Sequence, residues 1–317
     1  MGNGHAEAIE RSAFIFNVQK YNTYDGPGVR TLVFFKGCPL RCKWCANPEG
    51  MKREHQVIMK RDACTGCGEC ARVCPASIHS VPSNGGMHTV NRDAACIGCR
   101  KCEKACLYSA ISIVGEQKSM SQLLEIIEED RAFYEMSGGG VTLGGGEPLM
   151  QPEAAENLLA ACKQMGVNTA IETSGYARRD VVLRAAKFTD LFLFDLKHMD
   201  SDRHFELTGV RNETILENLK ELLHGRYNVR VRMPLLKNVN DGDEDIKKVI
   251  QFLTPYRDYK NFKGVNLLPY HKLGVNKYKQ LDMEYQIGND ASLSDADIER
   301  MENQFKSCGF SAVAIRH

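Results

Sequence analysis

The 317-residue chain has almost no net charge, since 41 basic residues against 40 acidic ones leave +1. No basic field is present to hold nucleic acid or an anionic membrane surface, and neither is expected as a partner. No apolar run approaches the roughly 20 residues that a membrane-spanning helix needs. The opening stretch, MGNGHAEAIERSAF, lacks the apolar core of an export signal, and Ala6 stands where a myristoylation site needs Ser or Thr. It reads as a short flexible lead-in over 1–12. What remains is an ordinary globular composition, 43% hydrophobic and 26% charged, enough for one large domain or two smaller ones.

Cysteine is in excess. Of 13 cysteines, eleven fall between Cys38 and Cys106, in tight runs. Without an export signal, metal binding accounts for such runs better than disulfides, and a cytoplasmic location is expected. Cys162, on the apolar face of a helical pattern, and Cys308, in FKSCGF, both read as packing residues.

Outside those runs the chain alternates strand-like and helix-like stretches. VRTLVFF (29–35), GVTL (140–143), NTAIET (168–173), LFLFDL (191–196), NVRVRMPL (228–235), GVNLLPY (264–270) and SAVAIR (311–316) are short and apolar. Strands buried on both faces read this way. Ser119 and Gln122 have capping-box spacing ahead of Leu123, Leu124, Ile126 and Ile127. Pro152 opens another helix, in which Ala155, Leu158, Leu159 and Cys162 share a face and Gly166 supplies the stop. Such alternation predicts the α/β class, a parallel sheet covered by helices. Six or so units are too few for a closed eight-fold barrel, so a partial (β/α)6 barrel is predicted, with its chemistry at the carboxyl ends of the strands.

A repeat interrupts this pattern. CTGCGECARVCPASI begins at Cys64 and CIGCRKCEKACLYSA at Cys96, and both read C-x2-C-x2-C-x3-C. Bacterial ferredoxins have this spacing, each run giving three thiolates to one [4Fe–4S] cluster and its fourth cysteine to the other. On that pattern one cluster takes Cys64, Cys67, Cys70 and Cys106, and a second takes Cys96, Cys99, Cys102 and Cys74. A pair of zinc knuckles is the competing reading. Leu107 follows Cys106 where Pro75 follows Cys74, so the second run lacks the usual C-P ending. The expected organisation is a barrel over 13–57 and 116–317 with a ferredoxin-like two-cluster insert over 58–115.

The stretch FFKGCPLRCKWCANPEG holds Cys38, Cys42 and Cys45 in a C-x3-C-x2-C run. Structural metal sites usually close with four protein ligands, whereas a site that must bind a small molecule keeps one position open. Three thiolates on a cubane cluster leave one iron free for a ligand. A zinc site with a distant fourth residue is the alternative.

With Trp44 just before its last cysteine, this run on the first strand–helix loop resembles the radical S-adenosylmethionine (SAM) superfamily. The longer string YDGPGVRTLVFFKGCPLRCKWCANPEG resembles one branch of it, the activating enzymes of glycyl radical enzymes, and the likeness extends from about residue 13 to the end. The resemblance implies a SAM-binding cluster on Cys38, Cys42 and Cys45, which form the catalytic centre. It implies SAM lying against Trp44, Cys45, Ala46 and Asn47 of this loop and against Gly145, Gly146 and Glu147 of GGGEP. FDLKH supplies Asp195, Leu196 and Lys197; IETSG supplies Glu172, where the pyruvate formate-lyase activator has Asp; VRVRMP supplies Arg232; and LLPYHKLG supplies His271. A monovalent cation beside the acidic residues belongs to the same picture. Taken singly, Asp195 and Lys197 also read as a solvated ion pair and His271 as a satisfied strand-end histidine.

The activity implied is reductive cleavage of SAM to a 5′-deoxyadenosyl radical that takes hydrogen from a backbone glycine of a partner enzyme. Reduced flavodoxin or ferredoxin is the implied donor, with the insert relaying electrons or only supporting structure. Among such activators the chain looks closest to those serving choline trimethylamine-lyase. Activators for glycerol dehydratase, isethionate sulfite-lyase and arylacetate decarboxylases share most of the motifs. A radical SAM enzyme acting on a small molecule and a non-catalytic ferredoxin-type electron carrier are the readings from other classes.

Overall fold

A computed structural model describes residues 12–82, 87–288 and 291–316. The expected lead-in lies outside the described residues up to position 11, and Ser12 already opens the first strand. Thirteen strands are described: β1 (Ser12–Asn22), β2 (Arg30–Phe35), β3 (Gln56–Met59), β4 (His79–Ser80), β5 (Thr89–Val90), β6 (Ile111–Val114), β7 (Glu116–Ser119), β8 (Gly140–Gly145), β9 (Asn168–Thr173), β10 (Leu191–Asp195), β11 (Val229–Leu235), β12 (Phe262–Pro269) and β13 (Ala312–Ala314). Nine form one sheet in the order β13-β12-β11-β10-β9-β8-β2-β1-β7. Every pairing from β2 to β13 is parallel, while β1 runs antiparallel to both β2 and β7.

Helices make the crossovers, because parallel neighbours cannot be joined by a tight turn. Pro152–Gln164 joins β8 to β9, Arg179–Ala186 joins β9 to β10, Glu213–His224 precedes β11, Asp243–Leu253 follows it, and Asp295–Ser307 precedes β13. Local chemistry sets their ends. Ser119 Oγ accepts from Gln122 N at 3.2 Å while Gln122 Oε1 accepts from Ser119 N at 2.9 Å, closing the expected capping box ahead of Met120–Glu128. Pro152 stands in the first turn of its helix, and Gly166, at φ 73°, ends the next turn of chain.

Side chains alternate across a strand, and this divides the sheet's faces. Val33, Phe35, Val141, Leu143, Ile171, Phe192 and Phe194 meet Leu123, Ile127, Leu158, Leu159, Cys162, Val182, Leu219, Met301 and Phe305 of the helices in the main core. Residues between them, among them Thr142, Glu172, Asp195 and Arg232, take the opposite face. There Asp195 is registered with Arg232, and Glu172 with Leu193.

Chain leaving β2 forms the cysteine loop and then a separate lobe. β3 pairs with β6 and β4 with β5, and the short helices Glu69–Val73 and Lys101–Ala105 pack on one another. Its small core joins Val57, Met59, Ile78, Ile111 and Ile113 to Cys70 and Cys102. Among the described residues no helix is long and apolar enough to cross a membrane.

Candidate active site

The cysteine loop hangs from the carboxyl end of β2 and is tied to its neighbours through backbone. Gly37 N donates to Gly50 O at 2.8 Å, Cys38 N to Met51 O at 3.0 Å, and Lys43 N to Leu207 O at 3.0 Å. The GGGEP turn at the end of β8 is stitched to the same loop, Gly146 N donating to Phe35 O and Glu147 N to Gly37 O, each at 2.8 Å. Glycine is required there twice over. Gly145 has φ 102°, and a Cβ on Gly146 would lie 2.4 Å from Gly37 O and 2.6 Å from Gly50 O.

Above these turns opens a cleft of about 220 Å³. It gathers Cys38, Cys42 and Cys45 with Trp44, Ala46, Asn47, Gly145, Gly146, Glu172, Asp195, Lys197, Arg232 and His271. Two of the expected residues stand elsewhere. The Leu196 side chain points into the main core, 2% exposed, because it alternates with Asp195 and Lys197. Glu147 lies beneath the cleft wall. Its carboxylate accepts from Thr173 Oγ1 at 2.7 Å, from Ser174 N at 2.8 Å, from Ser174 Oγ at 2.6 Å and from Leu149 N at 3.3 Å. Four donors and no acceptor make it the anchor of the turn rather than a cleft-facing group.

The cleft carries paired charges. Lys197 Nζ meets Asp195 Oδ2 at 2.8 Å, and Arg232 meets Asp25 Oδ1 at 2.7 Å and Glu172 Oε1 at 3.4 Å. Burial works against the charge of both cations, yet the carboxylates around them outweigh it and hold both protonated. Burial lifts Glu172 to about 7 against the pull of Arg232. Asp195 Oδ1 and Arg232 Nε are buried without a hydrogen-bond partner, so each has capacity to spare for a polar ligand. Burial also raises the thiols of Cys38 and Cys42, and takes Cys45 to about 12. Thiols so disfavoured as anions need a metal charge to ionise, and a convergent all-sulfur set suits iron–sulfur ligation.

In the lobe, Cys64, Cys67, Cys70 and Cys106 line one small cavity. Cys74, Cys96, Cys99 and Cys102 form the second group, Cys96 and Cys102 each feeling the Cys74 thiol. The fourth cysteine of each run therefore crosses to the other group. Cys162 is fully buried in the main core, but Cys308, expected as a packing residue, is exposed at the end of Asp295–Ser307. It follows the helix's last turn, where the apolar face has already passed.

Sequence reasoning missed several contributors. Asp25 reaches Arg232 across 207 positions. Lys36 is completely buried, donating to Glu49 O and, at 2.7 Å, to Gln56 Oε1. His79 and His88 approach Cys70 with all three ligand atoms within 4.8 Å of one another. No spacing rule links these residues, although the DGPG string containing Asp25 was itself conspicuous.

Comparison with known proteins agrees with this geometry. The radical SAM superfamily profile matches residues 97–253, a 4Fe-4S dicluster domain matches 63–111, and a 4Fe-4S single cluster domain matches 24–69. The choline trimethylamine-lyase activating enzyme of Oleidesulfovibrio alaskensis is 62% identical over 98% of this chain and all of its own length. The trans-4-hydroxy-L-proline dehydratase activating enzyme of Clostridioides difficile is 42% identical over 94% of this chain and 97% of its own. The isethionate sulfite-lyase activating enzyme of Nitratidesulfovibrio vulgaris is 38% identical over 90% and 93%. In fold, Streptococcus suis SuiB bound to its precursor peptide SuiA superposes with a TM-score of 0.54 over 88% of this chain and 46% of SuiB, at 16% identity.

The cleft, the parallel sheet and these matches define a radical SAM enzyme of α/β fold that uses SAM and iron–sulfur clusters. More particularly, the chain belongs to the activating enzymes of glycyl radical enzymes, which generate a radical on a partner glycyl radical enzyme.

Proposed function

We propose that the partner of this chain is a choline trimethylamine-lyase, and that the three-thiol cleft is where SAM is cleaved to activate it. The observation that carries the partner is 62% identity across 98% of the chain with the choline lyase activator, against 42% and 38% for activators of other lyases and dehydratases. The fold is read as a partial (β/α)6 barrel over 13–57 and 116–317, with a ferredoxin-like insert over 58–115. Three [4Fe–4S] clusters are assigned: one on Cys38, Cys42 and Cys45, one on Cys64, Cys67, Cys70 and Cys106, and one on Cys96, Cys99, Cys102 and Cys74. The enzyme is assigned to the cytoplasm, with a reduced flavodoxin or ferredoxin feeding the insert.

When bound, the three-cysteine cluster supplies the electron that breaks the sulfonium–C5′ bond of SAM, giving the 5′-deoxyadenosyl radical that takes hydrogen from a partner glycine. The chain's own residues do the rest. Lys197 and Arg232, both held protonated, are assigned to the SAM carboxylate, and the spare valence of Arg232 Nε supports this. Asp25 fixes the Arg232 guanidinium from behind. The Gly145–Gly146 backbone is assigned to the SAM amine, with Glu147 bracing the turn. Trp44 and His271 are assigned to the adenosine, and Asp195 with Glu172 to a monovalent cation.

Electron paramagnetic resonance of the reduced, reconstituted protein with SAM tests this reading. Separate samples would hold choline trimethylamine-lyase, glycerol dehydratase and isethionate sulfite-lyase. A glycyl radical doublet with the choline lyase alone is expected. A doublet only with another enzyme would overturn the partner, and no 5′-deoxyadenosine in any sample would overturn the site.

A further inference from the structure

The segment 270–285 runs from the cleft to the cysteine-rich lobe and touches both. Tyr270 lines the cleft. Gly274 lies so close to the cysteine loop that a Cβ there would meet Ala46 Cα and Cys45 O, each at 2.9 Å. Lys277 Nζ reaches Glu49 Oε1 at 2.6 Å and Asn47 Oδ1 at 2.9 Å. On the lobe side, Arg92 donates to Gln280 O at 3.1 Å, and Arg92 and Arg61 both pair with Asp282. The short helix Val275–Gln280 is thus clamped from both sides.

Tyr278 is the residue of that helix turned toward the cysteine loop. It is 4% exposed, and its hydroxyl is buried with no hydrogen-bond partner. Burial raises the phenol above its ordinary value, and the thiols of Cys45 and Cys42 add to the rise. The phenol's own proton has nothing to donate to. A buried donor left so is costly. Its edge-to-face contact with Tyr285, ring centroids 4.9 Å apart, satisfies no polar atom. Tyr285 itself is satisfied, donating to the Tyr270 hydroxyl at 2.8 Å.

We propose that Tyr278 is a positioning residue for the cluster on Cys38, Cys42 and Cys45, its Oη–H donating a hydrogen bond to the thiolate sulfur of Cys45 or Cys42. The inference rests on the cluster assignment made above. A donor beside a ligating sulfur stabilises negative charge there, and a reduced cluster carries more of it than an oxidised one. The hydroxyl therefore favours reduction of the cluster that must pass an electron to SAM. It also fixes the height of the cysteine loop against the helix that joins it to the lobe.

The test compares the anaerobic, fully loaded enzyme with its Tyr278→Phe and Tyr285→Phe variants. Phe keeps the ring and its packing and removes only the hydroxyl. The signal followed is the one that shifts when SAM is added, which separates this cluster from those of the lobe. In the unsubstituted enzyme, double-resonance spectra after transfer to D2O are expected to contain one exchangeable proton coupled to that cluster and unchanged by SAM. Tyr278→Phe is expected to lose this coupling and to make reduction about tenfold less favourable, a midpoint about 59 mV lower for one electron, while Tyr285→Phe keeps both. Identical coupling and midpoint in Tyr278→Phe would overturn the hydroxyl's role while leaving the cluster assignment intact. Absence of that proton from the unsubstituted enzyme would overturn it without reference to any variant. Absence of any SAM-responsive signal would overturn the cluster assignment, and this inference with it.

Discussion

Gly146→Ala puts the smallest possible group into the seam between the GGGEP turn and the cysteine loop. The added Cβ would stand 2.4 Å from Gly37 O and 2.6 Å from Gly50 O, where ordinary contact begins at 3.4 Å. The seam must therefore open by about 1 Å. Neither oxygen can step aside freely, because Gly37 O accepts from Glu147 N and Gly50 O from Gly37 N, both at 2.8 Å. Opening the seam strains two backbone hydrogen bonds of about 1 kcal/mol each and moves Cys38 relative to Gly145. A misplacement of about 1 Å at a reacting centre costs on the order of 100-fold in rate. The expected outcome is a drop of about 100-fold in 5′-deoxyadenosine formed per enzyme and a matching loss of glycyl radical signal, with the iron of the lobe retained. Gly288→Ala, whose Cβ would meet nothing within 4 Å, serves as the matched control. SAM cleavage by Gly146→Ala within about threefold of the parent, at full iron content, would refute the claim that this seam sets the geometry of the cleft.

Three further outcomes are expected. Cys42→Ala should abolish SAM cleavage while keeping about two-thirds of the iron, that of the two clusters assigned to the lobe; retained cleavage would mean that no open iron is needed. Glu147→Gln turns one acceptor oxygen into a donor facing Ser174 N and Oγ, which lie 2.8 and 2.6 Å from Glu147 Oε2. It should cost about 2–4 kcal/mol in anaerobic urea unfolding and weaken SAM binding. Burial lowers Lys36 from 10.5 to about 8, so between those values the unfolded chain keeps a proton that the folded one has released. Stability should therefore rise with pH across that window by up to about 3 kcal/mol, and Lys36→Met should flatten the rise; equal slopes in denaturation at pH 8 and above would count against the buried charge.

The sheet was legible wherever strands are buried on both faces. LFLF has no other reason to be so uniformly apolar, and the structure begins and ends NTAIET and LFLFDL within one residue of the sequence reading. β1 went unread. Its first half is buried throughout, while its second half alternates toward solvent, so no single period spans it. β7, EQKS, is an edge strand recruited by pairing with β1 and carries no hydrophobic signal. At the site, cysteine spacing carried most of the information, since ligand geometry fixes it locally. Charges did not announce themselves in this way. Asp25, Glu172 and Arg232 meet only because the fold brings the loop before β2 against the cleft-facing side chains of β9 and β11, and the Leu196 side chain faces the core because one residue's step along a strand exchanges cleft for core.

The lobe leaves and re-enters the sheet domain through β3 and β6, with Gln56 opposite Val114 and Met59 opposite Ile111. Antiparallel neighbours lie about 5 Å apart, so chain departs and returns at nearly one point. A segment attached by such a neck can be exchanged, enlarged or cut back to a turn without moving the strands on either side, and doubling a loop's length costs only about 0.6 kcal/mol in closure entropy. Evolution can then change the lobe while inheriting the radical chemistry untouched. The neck is a point at which lineages can trade modules.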